Sequence, residues 1–106
     1  MGELLTPAKL CGFRYKTPGP KIQRLWDSLA PGLGAEVFPS QTRRWIYRYY
    51  FQGVQRIITL RPIAGTRAEL KEDIDQARVE AGRMRKQIDE GIDPKAVRQA
   101  RQAAGT

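Results

Sequence analysis

Residues 43–60, RRWIYRYYFQGVQRIITL, set two aromatic and β-branched runs on either side of Gly53. Such residues favour extended chain, and a glycine between two runs marks a hairpin turn. Strand side chains alternate between two faces, so parity sorts the segment. Trp45, Tyr47 and Tyr49 share one face, and Arg44, Arg48 and Tyr50 share the other. After the turn, Val54, Ile58 and Leu60 share a parity that also includes Arg56. One face of the hairpin is expected to pack on a core, because a small sheet needs large rings against its helix. That assigns Trp45 and Tyr49 to the core rather than to base stacking, together with Leu25, Val37, Ile58 and Leu60. The opposite face carries Arg, Gln and Tyr, and a β-ribbon of this kind has the width and charge to enter a DNA major groove.

Charge points the same way. The chain has 106 residues and a formal charge of +8. Residues 1–60 hold nine Lys/Arg and three Asp/Glu, whereas residues 61–106 hold ten and eight. The positive excess therefore lies on the half that reads as strands. Basic surfaces bind phosphate backbones by releasing counterions. The same composition also fits a basic protein without a polyanion partner.

Other classes find no support. No apolar run is long enough to span a bilayer, and no signal-peptide pattern is present, so the expected setting is the cytoplasm. Cys11 is the only cysteine and there is no histidine. That leaves no internal disulfide, no Cys/His set for zinc and no base to activate a thiol. Cys11 is expected to be a small buried residue. No Walker-type loop appears, and Gly32-Leu33-Gly34 reads as a turn. No cofactor, metal or catalytic residue is expected.

Along the chain, Thr6-Pro7 caps and starts a short helix, to about Phe13, with Leu10 facing inward. Residues 16–20 form a Pro/Gly loop. Strands are expected over about Ile22–Asp27, Ala35–Phe38, Arg43–Phe51 and Val54–Leu60. Leu70, Ile74, Ala77, Ala81, Met84 and Ile88 then recur at intervals of four and three, which is one stripe of an amphipathic helix. Two capping boxes compete for its start, Thr66-x-x-Glu69 and Asp73-x-x-Gln76. Gly91 marks its end, and Asp93-Pro94 offers a fresh cap. The expected fold is α+β: a small antiparallel sheet of three to four strands packed against a C-terminal amphipathic helix. Residues 1–92 read as the domain, and residues 93–106 as a linker or weakly ordered helical tail.

The candidate DNA-binding residues are Arg43, Arg44, Arg48, Tyr50, Gln52, Gln55, Arg56 and Thr59. Arginine pairs bidentately with guanine and glutamine with adenine, which suits Arg44, Arg48 and Gln55 beside Tyr50. Thr59 can meet a phosphate or a thymine methyl. Arg43 at the strand end and Arg56 near the turn read as phosphate clamps, although parity turns Arg56 inward. Gln52 at the tip can reach a backbone, and Lys9, Arg14, Lys16 and Lys21 extend the footprint. The mixed charges of the long helix, including Arg78, read as a solvated face.

Taken in order, LTPAKL, LWDSLAPGLGAEVFPS, TRRWIYRYYFQGVQRIITL and EGIDP resemble the N-terminal DNA-binding domain of phage-type and genomic-island integrases, which are tyrosine recombinases. The similarity covers most of residues 4–94. It rests on Leu25-Trp26-Asp27, Pro31-Gly32-Leu33, Trp45 with Arg48-Tyr49, Thr59-Leu60, and Gly91-Ile92-Asp93-Pro94. The resemblance implies binding to double-stranded DNA at arm-type sites flanking the crossover region, with the sheet in the major groove. It also implies that the recombination chemistry belongs to a separate domain of a larger enzyme. There the partners would be other integrase protomers and DNA-bending accessory proteins. The chain departs from the family pattern at Glu36, where a basic residue is frequent, and at Arg61, where a glycine is typical. Its connection over residues 61–72 also looks longer.

Two rival readings use other features. A basic sheet-and-helix domain can recognise double-stranded RNA by shape, and the long amphipathic helix could serve a protein interface.

Overall fold

The computed structural model describes residues 3–17, 19–63 and 67–104. Helix α1 spans Pro7–Cys11, and strands β1 to β4 span Gln23–Trp26, Leu33–Val37, Arg43–Phe51 and Val54–Pro62. Helices α2 and α3 span Arg67–Asp89 and Pro94–Ala104. The four strands form one antiparallel sheet in the order β1-β2-β3-β4. This is the expected α+β fold, with α2 lying across β2 and β3.

Local chemistry explains the joints. Thr6 Oγ1 accepts from the Lys9 amide at 3.2 Å and caps α1, whose Leu10 is fully buried. Gln52 and Gly53 both have positive φ, 53° and 78°, as a two-residue turn matched to strand twist requires. Helix α2 begins at Arg67, which favours the earlier of the two starts; Thr66 itself lies outside the described residues. At its end, the Gly91 amide reaches the Ile88 carbonyl and the Ile92 amide reaches that of Gln87, a Schellman closure. Asp93 caps α3 by accepting from the Lys95 amide at 3.0 Å. Residues 94–104, within the stretch read from sequence as a linker or weakly ordered helical tail, form this helix.

The core follows the parity of β3. Trp45, Tyr47 and Tyr49 are buried with Leu33, Ala35 and Ile58 against Leu70, Ile74, Ala77, Ala81 and Met84 of α2. Leu25, Leu60 and Ile88 are partly buried against the same cluster, and Val37 is fully buried. The Trp45 indole N–H donates to Asp73 Oδ2 at 2.8 Å, so the ring is seated with its polar edge satisfied.

Several expectations are corrected. Leu33 and Gly34 belong to β2, and only Gly32, at φ 93°, turns the chain. Cys11 is exposed, since it follows Leu10 onto the outer side of a helix too short to bury two sides. Strand β4 runs past Leu60 to Pro62. Pairing steps from Ile46↔Thr59 to Arg44↔Pro62, so Leu60 and Arg61 together oppose Trp45 in a bulge. The extra residue turns Arg61 toward α2, where it meets Asp73 at 2.6 Å and also Glu80. Arg78 is no solvated charge either. Its Nε lies 2.9 Å from the buried Asp27 carboxylate, and its Nη2 reaches the Leu5 carbonyl at 3.0 Å.

Candidate nucleic-acid interface

The sheet has two unlike faces. The inner one packs on α1 and α2 and meets the start of α3 through Tyr49 and Asp93, and the outer one carries the exposed Arg48, Tyr50 and Gln55. Strand register arranges the outer residues in rows: Arg24–Glu36–Arg44, then Trp26–Gly34–Ile46–Thr59, then Arg48–Ile57, then Tyr50–Gln55.

Like Ile46, Glu36 is buried on this face; it is 2 % exposed. Its two oxygens take the Nε of Arg24 at 2.9 Å and the Nε of Arg44 at 2.7 Å. The departure from the family pattern is thus a carboxylate that ties three strands together through two arginines. Arg44 also lies over the Phe38 ring, 4.8 Å from its centroid. Arg48 is exposed, makes no ion pair among the described residues, and stacks over the Trp26 ring at 4.2 Å. The Tyr50 hydroxyl donates to Gln55 Oε1 at 3.0 Å, and Tyr50 is 63 % exposed.

The remaining candidates sit elsewhere. Gln52 is exposed at the hairpin tip. Thr59 is half-buried on the outer face, and its carbonyl accepts from Arg98 of α3. Arg43 has the parity of Trp45 and turns inward to the Leu10 carbonyl of α1. Arg56 pairs across the hairpin with Tyr49 and also faces inward, as its parity requires. Its Nε is buried without a hydrogen bond, 3.6 Å from Asp93 Oδ2. Register between β3 and β4 is regular near the turn, so no bulge releases it. The structure therefore gathers Arg44, Arg48, Tyr50, Gln55 and Thr59 on one face and leaves Arg43 and Arg56 off it.

Arg24, Trp26 and Ile57 also belong to that face and are absent from the sequence candidates. A signal for two of them exists: if Leu25 is core, its neighbours Arg24 and Trp26 point the other way.

Beneath the hairpin, the Tyr49 hydroxyl donates to Asp93. Burial, then the hydrogen bond to this carboxylate, push the Tyr49 hydroxyl up to about 12, so it stays protonated. The Tyr47 and Tyr49 rings stack 5.8 Å apart. The Tyr49 contact with Asp93 ties the hairpin to the start of α3.

The chain is thus an antiparallel sheet with one helix-covered face and one face carrying Arg24, Arg44 and Arg48. The family model for the arm DNA-binding domain matches residues 5–101. The chain belongs to that family, the N-terminal arm-type DNA-binding domain found in phage integrases, which are tyrosine recombinases. A comparison with individually curated proteins gave no match. Among the described residues, no helix is long and apolar enough to cross a membrane, and no cluster of Cys, Asp or Glu could hold a metal ion.

Proposed function

We propose that this chain binds double-stranded DNA at the arm-type sites of a site-specific tyrosine recombinase, inserting the outer face of its β3–β4 hairpin into the major groove. The observation that carries this is the unequal length of the strands. β3 and β4 have nine residues each, whereas β1 has four and β2 five. Pairing of β2 with β3 ends at Leu33↔Tyr47, and the Arg48 amide still donates to the Gly32 carbonyl at 2.8 Å, so the row Tyr50–Gln55 and the Gln52 tip project as a two-stranded ribbon with Arg48–Ile57 at its base. A groove about 12 Å wide admits such a ribbon. Arg48 and Gln55 then meet base edges, while Arg24, Arg44 and the basic N-terminal segment lie along the phosphates. The module works in the cytoplasm, beside the catalytic domain and other protomers of the recombinase.

Affinity for duplex DNA is expected to fall steeply with salt, by about 0.9 log units per log unit of salt for each phosphate neutralised. A salt titration that leaves affinity unchanged would exclude the mode. Competition with an RNA duplex of the same sequence separates it from shape recognition, because the A-form major groove is too narrow for the ribbon.

Arg48→Ala is expected to melt like the wild type yet weaken specific binding by roughly 1–3 kcal/mol. Equal affinity of the two proteins for a selected duplex would remove Arg48 from the interface.

The chain is also expected to bind without cutting. Tyr47 and Tyr49 are buried, and Tyr50 is engaged with Gln55. None has the arginine, lysine and histidine set that activates a recombinase tyrosine. Incubation with a labelled duplex carrying arm and crossover sites should give a complex that denaturant dissolves, whereas a covalent tyrosine adduct would overturn the assignment.

A further inference from the structure

We propose that Trp26, seated on Gly34, is a positioning residue that holds Arg48 for reading guanine. This rests on the DNA reading above and adds the source of base discrimination.

Trp26 belongs to β1 and Arg48 to β3, with β2 between them. Strands two apart are separated by about 9–10 Å, so the indole must cross β2 on the outer face to reach the guanidinium. The residue at the crossing is Gly34, the register partner of both Trp26 and Ile46. A Cβ at Gly34 would lie 2.5 Å from Trp26 Cε3 and 2.9 Å from Cζ3, and 3.1 Å from the rigid Leu25 carbonyl oxygen. Any side chain there lifts the indole off the sheet. With glycine, the ring lies against the backbone of β2, and the Arg48 guanidinium rests on it at 4.2 Å.

The consequence concerns which arginine is free to read. Arg24 and Arg44 each commit their Nε to Glu36. Arg48 has no carboxylate partner among the described residues, so its guanidinium, 4.2 Å from the centre of the Trp26 ring, keeps its N–H donors for a ligand. A planar guanidinium stacked on one face keeps its hydrogen-bonding edge in plane, which suits O6 and N7 of guanine. An arginine fixed before binding also loses less rotamer freedom on binding.

The test is selection of duplexes from a random pool by the purified 106-residue chain, followed by affinities for the recovered duplex and for its 7-deazaguanine analogue. Wild type is expected to recover guanine at one fixed position and to lose affinity when that base lacks N7. Arg48→Lys, Trp26→Ala and Gly34→Ala should each cut the preference at that same position by about tenfold, with little response to 7-deazaguanine. The slope of affinity against salt should stay at the wild-type value, since none of the three changes the charge. Trp26→Phe, which retains a ring, should keep the preference, and cooperative melting identifies the variants that fold. Wild-type guanine preference in folded Trp26→Ala or Gly34→Ala overturns the positioning role, as does a Trp26→Ala variant that folds but loses salt-dependent binding altogether. A wild-type chain that selects no duplex overturns the DNA reading itself, a different outcome from either.

Discussion

Trp45→Ala is expected to destabilise the domain by about 3–5 kcal/mol, the range for removing a large aromatic side chain from a close-packed core. Trp45 is fully buried, and it is the largest side chain among those with no exposed surface. The loss has two parts. The cavity opens between β3 and α2, beside Ala35, the register partner of Trp45, which is too small to fill it. The Asp73 carboxylate also loses the indole donor at 2.8 Å, keeping Arg61. Domains of this size have a total stability of roughly 5–15 kcal/mol, so the variant should be largely unfolded at the lower end. At the upper end its midpoint should fall by roughly 15–30 °C. Arg48→Ala is the matched control from the opposite face of the same strand. If Trp45→Ala melts like wild type while Arg48→Ala collapses, the two faces of β3 are exchanged.

That contrast is legible in the sequence because it depends only on period. Alternation along 43–51 separates Trp45, Tyr47 and Tyr49 from Arg44, Arg48 and Tyr50, and the four-three spacing marks the α2 stripe from Leu70 to Ile88. Caps and stops are legible for the same local reason, as at Thr6, Gly53, Gly91 and Asp93. What escapes depends on partners distant in sequence. Glu36 reads only as a departure from a frequently basic position, because nothing local says that Arg24 and Arg44 flank it across three strands. Arg61 reads only as a departure from a typical glycine, because a bulge opposite Trp45 is a property of two paired strands. Arg43 and Arg56 have the chemistry of phosphate clamps, yet their parity turns them inward, and parity prevails. The same rule turns Trp26 outward, onto the face where it meets Arg48.

The hardest contact to read is that of Arg78 with Asp27, and its loss is the second large effect. The two residues are 51 positions apart, and the helical charge pattern suggests only solubility. Yet Asp27 is buried, and every described partner it has is structural. It accepts from the Leu5 amide at 3.2 Å, from the Ala30 amide at 3.3 Å, and from Arg78 Nε at 2.9 Å. One carboxylate thus joins the N-terminal segment, the end of β1 and the middle of α2. Burial alone would push the Asp27 carboxyl up, but the Arg78 hydrogen bond, the amide donors and the Arg78 charge together hold it below its ordinary value of 3.8. Removing one member of a buried pair leaves the other charge uncompensated, so Asp27→Asn is expected to cost about 3–5 kcal/mol. Among the described carboxylates, Arg78 would retain Asp75, at 4.0 Å on the exposed side of α2. The pH dependence has a defined sign. With the folded pKa depressed, this contribution is fully present above the unfolded value near 3.8 and is lost as pH falls through the folded one. Wild type should therefore lose stability on acidification through that window by more than Asp27→Asn does. Urea denaturation of Asp27→Asn, Arg78→Met and the double variant measures the coupling directly, because contacting residues give non-additive losses. Additive losses, or an Asp27→Asn midpoint equal to that of wild type, would show that the N-terminal segment and α2 are held by apolar packing alone.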